Sequence, residues 1–230
     1  MMDVYEAVTS RRAVRAFSSE AVPMRTLERV LTAAARAPSG ANLQPWNVYV
    51  VTGGALAGLK KRVRARVVTG DAGDPPEYRM YPADLPTSYR ERRDAAAAVR
   101  YGALGIGRGD IGARSAHVAG NWDCFGASAA LFCYVDSSMG PPQWADLGMY
   151  LQTVMLLLRA EGLHSCPQMA WSVYHRTVAN AVGAPESSIL FCGMSIGFEA
   201  GAVPHAVTDR APLTETVTFI TDESMSGCGR

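Results

Sequence analysis

The sequence predicts an α+β fold in a single domain. Its 230 residues are 48% apolar, which is enough to bury a substantial core. Four or five strand-like segments are interspersed with six or more helical ones. Because these segments do not alternate in a strict β-α-β order, a doubly wound parallel sheet is not expected. No repeat or low-complexity segment divides the chain, so residues 1–230 are expected to form one unit.

The first half of the chain is predicted to contain several helices and one strand. A helical period over residues 24–37 begins beside Pro23 and ends at Pro38, because proline is tolerated at the start of a helix but cannot continue it. Valine and tyrosine between Pro45 and Gly53 indicate a strand over Asn47–Thr52. The other helices of this half are predicted over residues 3–10, 54–68, 88–104 and 110–121.

The second half carries the strongest periodic signals. Residues 143–161 show a wide apolar helical face and are predicted to form the central core helix. Nearly continuous apolar runs over 129–135 and 188–198 are typical of buried strands. A shorter helix is predicted over 175–183, and an alternating pattern predicts a last strand over 215–220.

Residues 70–86 form a polar stretch with four prolines, too long for a simple connection. Long loops in compact domains are usually lids or binding loops, and a surface excursion is the alternative. Tyr78 and Tyr81 are the candidates in this loop for stacking on an aromatic substrate.

Charge and composition exclude several classes of protein. With 22 basic and 21 acidic residues, the chain has no net field to gather nucleic acid or an anionic membrane. No signal peptide is visible, and the longest apolar stretch is too short to span a bilayer, so a cytoplasmic location is expected. Five cysteines without a CxxC pair fit reduced thiols, and four scattered histidines predict no metal site.

Two further patterns are weak signals. The GxGxxG match at residues 107–112 follows an alanine-rich helical run instead of a strand, so it predicts a turn between helices with Asp110 as a cap. The basic run from Lys60 to Arg66 is expected to be a solvated helix face. Binding of a nicotinamide cofactor's phosphate is the alternative for this run.

Two polar segments indicate a ligand. Residues 10–17 (SRRAVRAF) place three arginines within a few residues, and residues 38–46 (PSGANLQPW) place a hydroxyl and two amides between prolines. Guanidinium groups suit a phosphate or an electron-rich ring edge, and amides suit the donors and acceptors of a heteroaromatic ring. This combination suits flavin mononucleotide (FMN). Residues 165–171 (SCPQMAW) and Arg210 complete the pattern.

In this order and spacing, these segments resemble the motifs of the FMN-dependent nitroreductase family. The resemblance covers nearly the whole chain and implies a nitroreductase-like fold, with a central mixed β-sheet flanked by helices. It also implies an intertwined homodimer with FMN at the interface between the subunits. In that dimer, residues 213–230 would extend over the partner subunit. The arginine motif departs from the family at Ala13, where a serine is common.

The resemblance also implies individual cofactor contacts. Arg11 and Arg210 would hold the FMN phosphate with help from Arg12. Arg15 would lie beside the N1 and O2 edge of the flavin, and the backbone of Ala13 would keep its contact. The second segment would reach the flavin of the other subunit through Pro38, Ser39, Gly40, Asn42 and Gln44. The third would line the isoalloxazine with Pro167, Gln168 and Met169.

No catalytic side chain is expected, because a backbone amide near Met169 would face flavin N5. The implied activity is the reduction of nitroaromatic compounds, and of quinones, by NADH or NADPH. Another FMN reductase of the same fold, acting on enones or quinones or removing halogen, is an alternative, since likeness of fold does not choose a reaction. A flavin-binding protein without turnover is a second alternative.

Overall fold

The computed structural model describes residues 2–201, 204 and 206–221. Within them, four strands form one antiparallel sheet in the order β1-β2-β4-β3. Among the described residues, parallel pairing is limited to an isolated bridge between Ala13 and Ser165, which attaches the arginine segment to the edge strand. The expected α+β fold, with a central sheet flanked by helices, is confirmed, and the sheet itself is antiparallel where a mixed one was expected. The strands are β1 Asn47–Thr52, β2 Ala129–Asp136, β3 His164–Gln168 and β4 Ser188–Gly197.

The predicted helices are also present. Residues 24–37 form a shorter helix than expected, because it ends at Ala34. The helices are α1 Val4–Ser10, α2 Met24–Ala34, α3 Gly53–Val68, α4 Thr87–Ala103, α5 Ile111–Ala119, α6 Pro141–Ala160, α7 His175–Val182 and α8 Leu213–Thr216. Three 3₁₀ turns cover Gly40–Asn42, Gly120–Gly126 and Met169–Tyr174.

The central strands separate two apolar cores. Every residue of β2 except Asp136 is buried, as the continuous apolar run predicts. Side chains alternate along a strand, so Leu131 packs with α2 and α6 on one face while Phe132 packs with α3 and Trp171 on the other. Helices α2 and α6 therefore cover one face of the sheet, and α3 and Trp171 cover the other.

The structure corrects two predictions of strands. Residues 215–220 do not form a strand: α8 covers Leu213–Thr216, and residues 217–221 have no regular structure. A strand requires a neighbour for its backbone hydrogen bonds, and the four named strands offer none at this position. Conversely, β3 was not expected as a strand. It forms because its backbone pairs with β4, in a register that joins His164 to Gly197.

Two smaller predictions, the turn at residues 107–112 and the burial of cysteines in the core, are confirmed. The 107–112 segment is a turn between helices, and the Asp110 carboxylate accepts a hydrogen bond from the Ala113 amide at 2.9 Å. The four described cysteines are free and buried; Cys228 lies outside the described residues. The described part of the chain holds no helix that is both long and apolar enough to cross a membrane.

Candidate functional site

A cavity of about 680 Å³ lies between the end of α1, helix α4 and residues 206–210. Its volume falls in the usual range for small-molecule sites. The four arginines singled out in the sequence all line it, although Arg210 is separated from the others by most of the chain. The lining also includes Ala13, Ala96, Arg100 and Gln152.

The arginines of the cavity outnumber the described carboxylates that could neutralise them. Arg12 is paired with Glu199, whose carboxylate accepts from the guanidinium at 2.6 Å. In the described part of the chain, no carboxylate lies within ion-pair distance of the other cavity arginines, which are Arg11, Arg15, Arg100 and Arg210. Like charges held this close repel one another, so the cavity favours an anionic ligand.

Arg100 was not singled out from the sequence. It projects from α4, and its half-buried side chain has an Nε atom that is buried without a hydrogen-bond partner. Burial, followed by the charge of Arg15, lowers the pKa of Arg100. Helix α4 contains several arginines in a polar sequence, so nothing local distinguishes the one that enters the cavity.

His117 lies in a small recess beside the same cavity, next to Arg15, Arg100 and Glu199. Burial lowers the pKa of His117, and the charges of Arg100 and Arg15 lower it further. The ring is therefore mainly neutral at pH 7 and adds no positive charge. Guanidinium groups supply the charge of the site.

No residue of segment 38–46 is among those that line the cavity. The Gly40 amide donates to both carboxylate oxygens of Asp146, at 3.3 Å, near the start of α6. The cavity meets α6 further along, at Gln152, about 9 Å of helix beyond Asp146 at 1.5 Å of rise per residue. The structure thus divides the predicted site residues into two groups, those that line the cavity and those of segment 38–46.

The backbone of segment 38–46 is strained, and hydrogen bonds within the segment hold it in this conformation. Ala41, Asn42 and Gln44 have φ values of 49°, 58° and 50°, in the left-handed region that side chains rarely adopt. The Gln44 amide donates to Ser39 Oγ at 2.9 Å, and the Gln44 side chain donates to the Asn42 carbonyl at 3.0 Å. Such strain is most common at functional sites. Pro38, Gly40, Asn42 and Gln44 are all exposed, and Ser39 is partly so.

The third segment keeps two of its three predicted residues accessible. Pro167 and Met169 are exposed, whereas Gln168 is buried. Its side chain donates to the Asn121 carbonyl at 2.7 Å and accepts from Ser195 Oγ and Trp171 Nε1. The Gln168 side chain is therefore not free to contact a flavin, because its polar atoms are bonded inside the protein. Only its backbone remains for a ligand.

Tyr78 also departs from expectation. Its hydroxyl donates to the Phe191 carbonyl at 2.7 Å, and its ring packs edge-on against Trp144 with centroids 5.1 Å apart. Burial raises the pKa of Tyr78 to about 12. The side chain thus anchors the loop to β4, and its predicted stacking on a substrate stays a prediction that this anchoring does not favour. Tyr81, by contrast, is 60% exposed.

The basic run of α3 is only partly the solvated helix face that was expected, because Lys60 and Arg66 are half-buried and bonded to neighbouring segments. Lys60 donates to the Ala127 carbonyl at 2.9 Å, and Arg64 pairs with Asp123. Arg66 pairs with Asp71 and Asp74 of the 70–86 loop. These contacts hold α3 to its neighbours, and Lys61 and Arg62 are exposed or nearly so.

Comparison with known proteins agrees with this geometry. The Nitroreductase family matches residues 8–198. A 4-nitrobenzoate reductase of Nocardioides sp. (strain LMS-CY) is 34% identical over 227 residues, 96% of this chain and 92% of that protein. A nitrobenzene nitroreductase of Ectopseudomonas oleovorans is 30% identical over 220 residues, 94% of this chain and 96% of that protein. The crystal structure of the FMN and NADPH-dependent nitroreductase NfnB from Sphigopyxis sp. strain HMH is 42% identical, with a TM-score of 0.92 over 95% of this chain and 99% of that one.

Proposed function

The chain belongs to the nitroreductase family, and from this premise we propose that it is an FMN-dependent oxidoreductase that reduces nitroaromatic compounds with NADPH. The observation that carries the proposal is the cavity in which four arginines have no described acidic partner. FMN brings a phosphate, which would neutralise part of this charge, and the cavity is large enough for a small cofactor.

The chain's residues fit FMN in a definite orientation. Arg11 and Arg210 would hold the phosphate, and Arg12, already paired with Glu199, would act beside them. Arg15 would lie beside N1 and O2 of the flavin ring. Because the GxGxxG match is a turn between two helices, the fold offers no dinucleotide fingerprint for an adenine-containing flavin. A mononucleotide is therefore the cofactor that the residues support.

When bound, FMN supplies the hydride chemistry, taking a hydride from the nicotinamide at N5 and passing it to the acceptor. The protein's part is positioning. Exposed Pro167 and Met169 leave an accessible surface at the end of β3, where the backbone near Met169 would face N5. This mechanism requires no side chain to move a proton. Among the described residues that line the site, the one carboxylate is that of Glu199, which is paired with Arg12.

We further propose that the site is completed by a second copy of the chain. Within one chain, Asn42 and its neighbours do not line the arginine cavity, so they would serve the flavin of the partner. Apolar side chains exposed on the surface support association. They include Val4, Tyr5 and Val8 of α1, Met149 of α6, and Leu213, Phe219 and Ile220 near the C-terminus. The segment from residue 213 onward would extend over the partner.

The cofactor assignment is tested by extraction. Heating the purified protein should release FMN, which chromatography against FMN and FAD standards identifies, and NADPH oxidation should accelerate when nitrobenzene is added. Arg11→Met should weaken FMN binding by about 10- to 100-fold through loss of a charged hydrogen bond. Arg93→Met, on the exposed side of α4, is the matched control. Recovery of FAD, or no flavin after incubation with FMN, would overturn the proposal.

A further inference from the structure

Arg100 also lines the cavity, but none of the proposed contacts with FMN involves it. Arg11 and Arg210 serve the phosphate, Arg12 is paired with Glu199, and Arg15 serves the N1 and O2 edge. The oxidised flavin ring is neutral, so it offers no second anion. The Nε of Arg100 is buried without a hydrogen-bond partner. Such a charged group requires an acceptor, and an anion is the acceptor that suits it best.

The position of Arg100 is fixed before any ligand arrives. Its guanidinium lies 5.2 Å from the centre of the Tyr101 ring, and the same ring lies 4.3 Å from the Arg114 guanidinium. Arg114 is itself held by the Gly107 carbonyl at 3.1 Å. These contacts orient the Arg100 guanidinium through the Tyr101 ring, and no described carboxylate pairs with it. The side chain is therefore preorganised to bind an anion.

Arg100 also lies beside the place proposed for the flavin ring. It lines the cavity together with Arg15, which is proposed to contact the N1 and O2 edge, and it shares a smaller recess with Arg15 and Ala13. Ala13 bridges to Ser165 of β3, the strand whose exposed end at Pro167 is proposed to line the ring. A substrate stacked on the ring would therefore come close to Arg100.

We propose that Arg100 binds a carboxylate on the acceptor, so that the preferred substrates are nitroaromatic acids such as nitrobenzoates. This inference rests on the proposed function and narrows it. The names of the relatives do not decide between acidic and neutral substrates, because one relative is named a 4-nitrobenzoate reductase and another a nitrobenzene nitroreductase. A guanidinium fork matches a planar carboxylate with two parallel hydrogen bonds, and partial burial strengthens them. A neutral nitrobenzene would leave Arg100 unpaired.

The test compares acidic and neutral acceptors. Arg100→Met should raise KM for 4-nitrobenzoate by about tenfold or more, with kcat little changed, and should leave KM for nitrobenzene within about twofold. Arg100→Lys keeps the charge but loses the fork, so its effect should be intermediate. Arg93→Met, on the same helix, should match wild type with both acceptors. If Arg100→Met does not fold, Arg100→Lys carries the same comparison.

A binding measurement separates this inference from the proposed function. Benzoate, which cannot be reduced, should perturb the visible spectrum of the FMN-loaded protein, and Arg100→Met should weaken that binding by a similar factor. Equal effects on both acceptors, a raised KM for NADPH, loss of FMN or a changed flavin potential would each overturn the inference in favour of another contact. Failure of the wild-type protein to oxidise NADPH with either acceptor would instead contradict the proposed function.

Discussion

Arg15 and Arg100 lie beside the same cavity, and the charge of Arg15 lowers the pKa of Arg100. Elsewhere some arginines are paired, as Arg29 is with Glu161 at 2.7 Å, and others, such as Arg108, are exposed to solvent. Arg100 differs from both kinds, because its side chain is half-buried and its Nε is buried without a hydrogen-bond partner. At the scale of single residues, this combination of burial and an unsatisfied donor marks the site.

Arg15 is predicted to tune the flavin. A guanidinium beside N1 and O2 binds the reduced cofactor more tightly than the oxidised one, because reduction leaves negative charge there. If the contact contributes about 1.5 to 3 kcal/mol to the reduced form alone, Arg15→Met should lower the two-electron potential by about 30 to 60 mV. A redox titration of the FMN-loaded variant measures this. A wild-type potential would show that Arg15 does not contact the flavin.

The buried cysteines are predicted to be unreactive in the folded protein. Burial raises the pKa of Cys124 and Cys166 to about 11, and that of Cys192 to about 12. Only about one thiol in a thousand would be ionised near pH 8, and the thiolate is the nucleophile. Iodoacetamide followed by peptide mapping should find these residues unmodified in the native protein and modified in denaturant. Rapid native labelling would contradict their burial.

At the scale of elements, the 70–86 loop has two halves with different properties. Residues 71–78 are tied to the body: Arg66 pairs with Asp71 and Asp74, and Tyr78 bonds to β4. Residues 79–84 are exposed and include Tyr81. The proposal that the loop governs acceptor choice therefore concerns its second half, while the first half attaches it to α3 and α7.

Gly73 is predicted to be essential to that attachment. Its φ is +98°, and a Cβ there would lie 2.4 Å from Val173 Cγ1 and 2.6 Å from the Val173 carbonyl oxygen. Gly73→Ala should lower the free energy of unfolding by about 1 to 3 kcal/mol more than Gly70→Ala does. Gly70 has φ +73° with nothing near its Cβ position, so it isolates the cost of the backbone conformation. Urea unfolding gives both values, and equal losses would contradict the close approach.

At the scale of the whole molecule, the absence of residues 38–46 from the cavity lining within one chain predicts that two subunits share each site. Arg11→Met and Asn42→Ala should each weaken FMN binding in their own homodimers. A heterodimer of the two variants would contain one site with both changes and one site with neither. It should therefore bind one FMN per dimer at wild-type affinity, measured by titration after dual-tag purification.

The opposite result is equally clear. If one chain supplied both groups of residues, each site of the heterodimer would carry one change and none would bind normally. Sedimentation of the wild-type protein at high dilution is the companion measurement. A monomer that retains FMN tightly would contradict the shared site.

The sequence by itself determined the features that depend on local chemistry. Prolines and apolar periodicity located the helices, continuous apolar runs located β2 and β4, and the arginine segment located one side of the cavity. These features are set by neighbours in the chain, through backbone restrictions and burial of one face.

Only the tertiary structure decided what depends on distant contacts. It showed that β3 pairs with β4, that residues 213–216 form a helical turn, and that Gln168 and Tyr78 point into the protein. It also distinguished Arg100 from the other arginines of α4. Each of these outcomes depends on partners far along the chain, because hydrogen-bond satisfaction and charge pairing are properties of the folded neighbourhood and not of the local sequence.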